Sequence, residues 1–236
     1  MRVSLQPAFI LHRRPYRNTS LLLEAFSRDH GRIGLVAQGL QAPRSRRRPL
    51  LQPFTPLLLS WSGKGELLNL SAAEDTGPPI PVPPSRLFSG LYVNELLLRL
   101  LPRHDPYPGL FDPYRQALAA LAEDANQECG LRLFERRLLA ELGYGLMLEC
   151  EAVGGEPIAP ERIYRYVPEQ GPVRAEQTQA GVLISGRSLL ALGRGTLADP
   201  TVLREVKHLT RAAIGAHLRG KPLKTRELLQ RMHAPP

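Results

Sequence analysis

The sequence predicts an α+β protein of more than one domain: a small closed β-barrel, then an α-helical domain with a small irregular, β-containing insertion. Three observations carry that prediction. Short apolar runs separated by turn signals fill roughly the first eighty residues, with little helical periodicity. The stretch Thr76-Gly77-Pro78-Pro79-Ile80-Pro81-Val82-Pro83-Pro84 then excludes both helix and sheet interior and reads as a semi-rigid linker. Beyond it, apolar residues recur at helical spacing.

The elements follow in order. Ala8-Phe9-Ile10-Leu11 is an apolar run that ends in the basic turn His12-Arg13-Arg14-Pro15. Ser20–Phe26 and Arg32–Ala37 flank Arg28-Asp29-His30-Gly31, where glycine supplies the positive φ of a hairpin loop. Leu57–Trp61 and Glu66–Leu70 flank Ser62-Gly63-Lys64-Gly65, a second hairpin signal. Leucine is a weak strand former, so these strands rest on their turns more than on propensity. Strands this short and this closely spaced suit a closed barrel better than an open sheet. Residues 1–80 are therefore expected to form the barrel domain and 81–236 the helical domain, with the linker at about 75–85.

Leu87, Leu91, Leu98 and Leu101 place a helix over 86–101, stopped by Pro102. A second is expected from Pro113 through Leu118 and Leu121. A third carries Leu131, Phe134, Leu138 and Leu142 on one face, with Arg132, Glu135, Arg136 and Glu141 off it, and ends at Gly143. The pattern weakens in the insertion, about 150–184, to short β-like pieces at Ile163–Val167 and Gly181–Ile184. Ser185 reads as the cap of a short helix. Asp199-Pro200 is a cap followed by a first-turn proline; the helix it opens buries Leu203, Val206, Leu209, Ala213 and Ile214, and Gly220 stops it.

The chain of 236 residues carries 31 Lys+Arg against 22 Asp+Glu, a formal net charge of +9. That surplus favours an anionic partner, nucleic acid first. Its densest point is Arg44, Arg46, Arg47 and Arg48, bracketed by Pro43 and Pro49. Prolines hold such a run on a loop, and adjacent guanidiniums are most useful where a polyanion neutralises them. Arg204, Lys207, His208 and Arg211 form a basic helical stripe, and Arg219, Lys221, Lys224 and Arg226 cluster after it. Among the aromatics, Phe9 and Phe26 lie in apolar strands and belong to the core. Tyr16 and Trp61 border loops and are candidates for stacking on unpaired bases.

Signals for catalysis are missing: no phosphate-binding loop, nucleophile elbow, zinc-protease or dinucleotide motif is present. The six histidines are scattered, and Glu149 and Glu151 read as solvated loop acids. Cys129 and Cys150 alone supply neither a zinc site nor a disulfide framework, and they fit a reducing cytosol. No apolar run approaches the ~18 residues of a membrane span. The expected protein is a cytoplasmic, cofactor-free binder with no membrane partner.

Several stretches together resemble the RecO family of bacterial recombination mediators and DNA-annealing proteins. They are Ala8 to Pro15 leading into Thr19-Ser20-Leu21 and Gly31-Arg32; Val36-Ala37-Gln38-Gly39 and the basic loop; Leu51-Gln52-Pro53-Phe54; Leu91-Tyr92-Val93-Asn94-Glu95-Leu96; Leu142-Gly143-Tyr144-Gly145; and Gly220 to Leu228. The resemblance implies an N-terminal OB-fold, binding and annealing of single- and double-stranded DNA, and partnership with RecR, together with RecF in some assemblies. It also implies contact with the acidic tail of single-stranded-DNA-binding protein, so that RecA loads at gaps. On this reading the DNA contacts are Arg13, Arg14, Arg32, Arg44, Arg46, Arg47, Arg48, Lys64, Lys207, Arg211, Lys221 and Lys224. The tail site is Arg132 and Arg136 beside Leu131 and Phe134, with the stripe of Arg204, Lys207 and Arg211 as its alternative. Some family members carry a four-cysteine zinc module; here that region keeps Cys150 and Gly154-Gly155 but no other cysteine, so no metal is expected. The competing expectation is a general single-stranded nucleic-acid-binding OB protein, or a protein adaptor, without annealing activity.

Overall fold

A computed structural model describes residues 2–39, 49–123, 127–177, 179–218, 220 and 222–233. The chain forms two compact units, one of Met1–Ala122 with Leu223–Pro236 and one of Glu123–Pro222.

The first unit is built on five strands: β1 (Arg2–Tyr16), β2 (Ser20–Ser27), β3 (Gly31–Ala37), β4 (Leu57–Ser62) and β5 (Leu67–Asp75). They close in the order β1-β2-β3-β5-β4, with β3 and β5 parallel and the other pairs antiparallel. This is an OB-like barrel, in which closure leaves no free sheet edge. Alternation fills its interior: Ala8, Ile10, Leu21, Leu23, Ala25, Leu57, Leu59 and Trp61 all point inward. Trp61 is 1% exposed and therefore belongs to the core, a correction to its reading as a stacking platform.

Phe9 and Phe26 are buried as expected, but on the barrel's outer surface. Paired across β1 and β2, they pack against Phe111 and Tyr114 with ring centroids 5.1–5.9 Å apart. Helix α1 (Leu87–Leu100) ends before Pro102 as the sequence predicts. Helix α2 (Pro108–Ala122) begins a turn earlier than expected and carries Pro113 inside it, at the expense of one ladder bond.

A bulge in β1 skips Leu11 in the pairing with β2. The carbonyl of Leu11 instead accepts from Asn94 Nδ2 (3.0 Å), and Asn94 Oδ1 accepts from the Tyr114 hydroxyl (2.8 Å). One buried amide thus ties β1, α1 and α2 together. Burial pushes the Tyr114 pKa far up, which keeps that hydroxyl a donor.

The second unit contains α3 (Gln127–Glu141), a three-stranded antiparallel sheet, α4 (Gly186–Arg194) and α5 (Pro200–His217). The sheet runs β7 (Gly171–Arg174), β6 (Ile163–Val167), β8 (Val182–Ser185). Ser185 caps α4 and Asp199 caps α5, each accepting first-turn N–H groups, as their residue types predict. Tyr164, Tyr166, Ile184, Leu189, Val202, Val206 and Leu209 share its core.

Helix α6 (Lys224–His233) belongs to the first unit and was not legible in the sequence. Its N-terminus is held by Glu95 of α1, whose carboxylate accepts from the N–H groups of Lys224 and Thr225 and from the Thr225 hydroxyl. Burial alone would raise the Glu95 pKa, but the Thr225 and Lys224 bonds outweigh it and hold it below the usual range.

Candidate nucleic-acid interface

The cations of the first unit sort into a cluster, an outlier and a structural pair. Arg13 and Arg14 lie in the C-terminal half of β1, opposite Leu23 and Leu22, and Arg17 follows in the turn. Arg14 and Arg17 are exposed. Arg13 is half-buried and donates to the Leu51 carbonyl (3.5 Å). Arg44, Arg46, Arg47 and Arg48 lie outside the described residues, but both flanks of that segment are placed. Ala37 pairs with Leu21, the partner of Pro15, and Pro53 bridges Ile10. The placed residues on either side of that segment therefore meet the C-terminal half of β1, which presents Arg14 and leads into Arg17. Tyr16 is half-buried there, with the Arg17 guanidinium 5.2 Å from its ring centroid.

Lys64 is exposed on the β4–β5 turn, next to Ser62, which pairs with Arg2 at the opposite end of β1. It does not join the cluster. Arg32 is a correction: it is half-buried on the outer face of β3 and paired with Glu24 (3.3 Å), which also receives Arg103. Burial lowers the Arg32 pKa against the pull of Glu24, while the Glu24 hydrogen bond raises that of Arg103. The His104 N–H donates to the Arg32 carbonyl (2.9 Å), so this network fastens the α1–α2 loop over β3. With α2 covering Phe9 and Phe26, much of the outer face of β1–β3 is occupied by the chain itself. Lys224 is exposed at the start of α6; Lys221 lies outside the described residues.

In the second unit, Lys207 is half-buried and donates to Glu128 (2.8 Å), while Arg204, His208 and Arg211 are exposed. The expected tail-binding face on α3 is corrected. Leu131, Arg132 and Phe134 are buried, Arg132 in an ion pair with Glu135 (3.0 Å). Arg136 donates to the carbonyls of Leu192 (2.6 Å) and Gly193 (2.9 Å), satisfying the end of α4. These arginines hold helices together and present no open surface to a peptide.

Sequence reasoning also missed Glu151. It is buried, with Arg162 at 3.0 Å, Arg174 at 2.8 Å and the Tyr164 hydroxyl at 3.3 Å. These bonds tie the insertion together; among the described residues no cluster of three or more His, Cys, Asp or Glu is placed to bind an ion. Burial alone would raise the Glu151 pKa, but Arg174, then Arg162, outweigh it and hold it low. Its stabilisation is therefore complete above the ordinary glutamate value of about 4.3 and is lost as pH falls through the depressed folded value. Glu151→Gln should lower the urea midpoint at neutral pH, with the gap to wild type closing below about pH 4. A gap that stays constant into acid would contradict the ion pairs.

Residues 1–79 match the family model described as Recombination protein O N terminal, and residues 84–227 match Recombination protein O C terminal. The break between them falls in the proline-rich stretch. The DNA repair protein RecO of Nitrosococcus oceani is 50% identical over 233 residues, 98% of this chain and 95% of that protein. The protein of the same description from Methylococcus capsulatus is 49% identical over 229 residues, 97% and 94% of the two chains. That from Coxiella burnetii is 45% identical over 228 residues, 97% and 98%. No helix among the described residues is long and apolar enough to cross a membrane.

Proposed function

The chain belongs to the RecO family of DNA repair proteins, and from that premise we propose that it is a DNA-binding recombination mediator. It anneals complementary strands and helps load recombinase on single strands coated by single-stranded-DNA-binding protein. It works in the cytoplasm, at the nucleoid, by binding alone and with no catalytic step. The observation that carries this reading is an OB-like barrel with Arg14 and Arg17 exposed where β1 ends, close to Ala37 and Pro53, between which the Arg44–Arg48 run falls in the sequence. Loops of this kind track phosphates without reading sequence. Annealing needs two like-charged strands brought together, and cations on the barrel and on α5 would screen their repulsion.

RecR, together with RecF in some assemblies, and the acidic tail of single-stranded-DNA-binding protein are the proposed protein partners. With Arg132 buried, the stripe of Arg204, Lys207 and Arg211 on α5 becomes the candidate for the tail's carboxylates; Arg204 and Arg211 are exposed there, and Lys207 is half-buried against Glu128.

A salt-titrated binding and annealing assay tests the reading. Changing Arg46, Arg47 and Arg48 together to Ala should flatten log K against log salt on single-stranded DNA by about 2 units, at ~0.7 per phosphate contact. Annealing should slow in parallel. An unchanged slope returns the segment to a solubilising role. DNA binding without annealing favours a general single-strand binder, and negligible DNA affinity at moderate salt favours a protein adaptor.

A further inference from the structure

The Leu142-Gly143-Tyr144-Gly145 stretch folds into an unusual setting at the end of α3. Helix α3 ends in a Schellman arrangement: the Gly143 N–H donates to the Ala140 carbonyl (3.0 Å) and the Tyr144 N–H to Leu139 (2.8 Å). Gly143 takes φ +83°, which only glycine adopts cheaply, and the reversal sends Tyr144 out beyond the helix end. Tyr144 is 48% exposed. Its ring lies on that of His217, the last residue of α5, with centroids 3.7 Å apart and planes 17° from parallel. Two polar-tipped rings are thus stacked outside the unit's apolar core.

The pair lines a cleft of about 380 Å³, at the small end of the range for small-ligand sites. Met147 and Tyr166 add apolar surface, while Glu169 and Gln170 add a carboxylate and an amide. No Lys or Arg is among its described lining residues.

We propose that this cleft receives one unpaired nucleobase of single-stranded DNA, stacked on the Tyr144–His217 pair. Aromatic faces accept any base, and a carboxylate and an amide can bond its amino and carbonyl edge. The phosphates stay outside, where the surplus cations of the chain attract them. An acidic peptide fits poorly, because its carboxylates would find no Lys or Arg among the described lining residues and would face Glu169. The inference rests on the reading that the chain binds single-stranded DNA, and it adds a base contact on the second unit.

The test uses the full chain and oligonucleotides carrying a single fluorescent aminopurine, whose emission falls when it stacks. Wild type and Tyr144→Phe should quench it; Tyr144→Ala should lose the quench and bind about 5- to 100-fold more weakly, the range expected for one stacked base. A bromouracil-substituted strand, photo-crosslinked to wild type, gives a readout independent of how any variant folds: adducts at Tyr144 or His217 support the site, and adducts confined to the barrel overturn it. A folded Tyr144→Ala protein that binds and quenches like wild type also overturns it, leaving the DNA-binding reading intact. Loss of binding to a labelled Asp/Glu-rich peptide, with DNA unaffected, would make the cleft a peptide site. Failure of wild type to bind any single strand would defeat the DNA reading first, and this one with it.

Discussion

Replacing Glu135 with alanine should cost about 3–5 kcal/mol, the range for removing one partner of a buried ion pair. Glu135 is 0% exposed and Arg132 2%; the two are 3.0 Å apart, and the Thr210 hydroxyl of α5 donates to the other carboxylate oxygen. The guanidinium already has two nitrogens, Nε and Nη1, without a partner among the described residues. Alanine at 135 would take away the hydrogen-bonded counter-charge of a cation that water cannot reach, leaving it only the longer-range pull of Glu128. A domain's total stability is only about 5–15 kcal/mol, so helix content followed through urea should fall at a much lower midpoint. Arg132→Leu should also be costly, since it strands the carboxylate, though Thr210 softens the loss. The double Arg132→Leu/Glu135→Leu variant should be more stable than either single one, because apolar replacement removes both desolvation penalties together. Additive losses would refute the pairing.

Gly31→Ala should destabilise the barrel unit by about 2–5 kcal/mol, from overpacking together with left-handed backbone strain. Gly31 has φ +63°, and a Cβ there would fall 1.8 Å from the Asp105 carbonyl oxygen. That oxygen is backbone, and its loop is held by the His104–Arg32 bond and the Arg103–Glu24 pair, so it has little room to retreat. Gly65→Ala is the control: φ is +87°, yet nothing lies within 4 Å of its Cβ position, leaving only the backbone cost of about 1–2 kcal/mol. Trp61, the sole tryptophan, reports both variants by fluorescence from inside the barrel. Equal losses at the two positions would show that contact with Asp105 contributes nothing.

What the sequence revealed, and what it hid, divides by distance along the chain. The hairpin glycines, Ser185, Asp199-Pro200 and Gly143 act on neighbours a few residues away, so residue type alone located them. Trp61 was also legible in principle, because Leu57, Leu59 and Trp61 keep the two-residue period of one strand face. The apolar runs around Phe9 and Phe26 marked both rings as core, without naming α2 as their cover. Glu151, Glu95 and Arg132 could not be read this way. The partners of Glu151 at Arg162 and Arg174 and of Glu95 at Lys224 and Thr225 are set by tertiary folding; Arg132 pairs with Glu135 on its own helix, but its burial depends on Thr210 and the rest of α5 packing there, and a charged residue looks the same in sequence whether it faces water or a counter-charge. The same blindness made Arg32 and Arg132 look like ligand contacts.

The hold of Glu95 on α6 bears on how the protein is made. Glu95 leaves the ribosome 129 residues before Lys224, its partner. At bacterial elongation rates that interval is on the order of ten seconds. Through that time the nascent barrel unit carries an acid in α1 whose helix cap has not been synthesised, while the whole second unit emerges. Completion of the first unit is thus deferred until residues 224 and 225 have been made, and a transcript cut short before codon 224 would yield a barrel whose Glu95 never meets its mate.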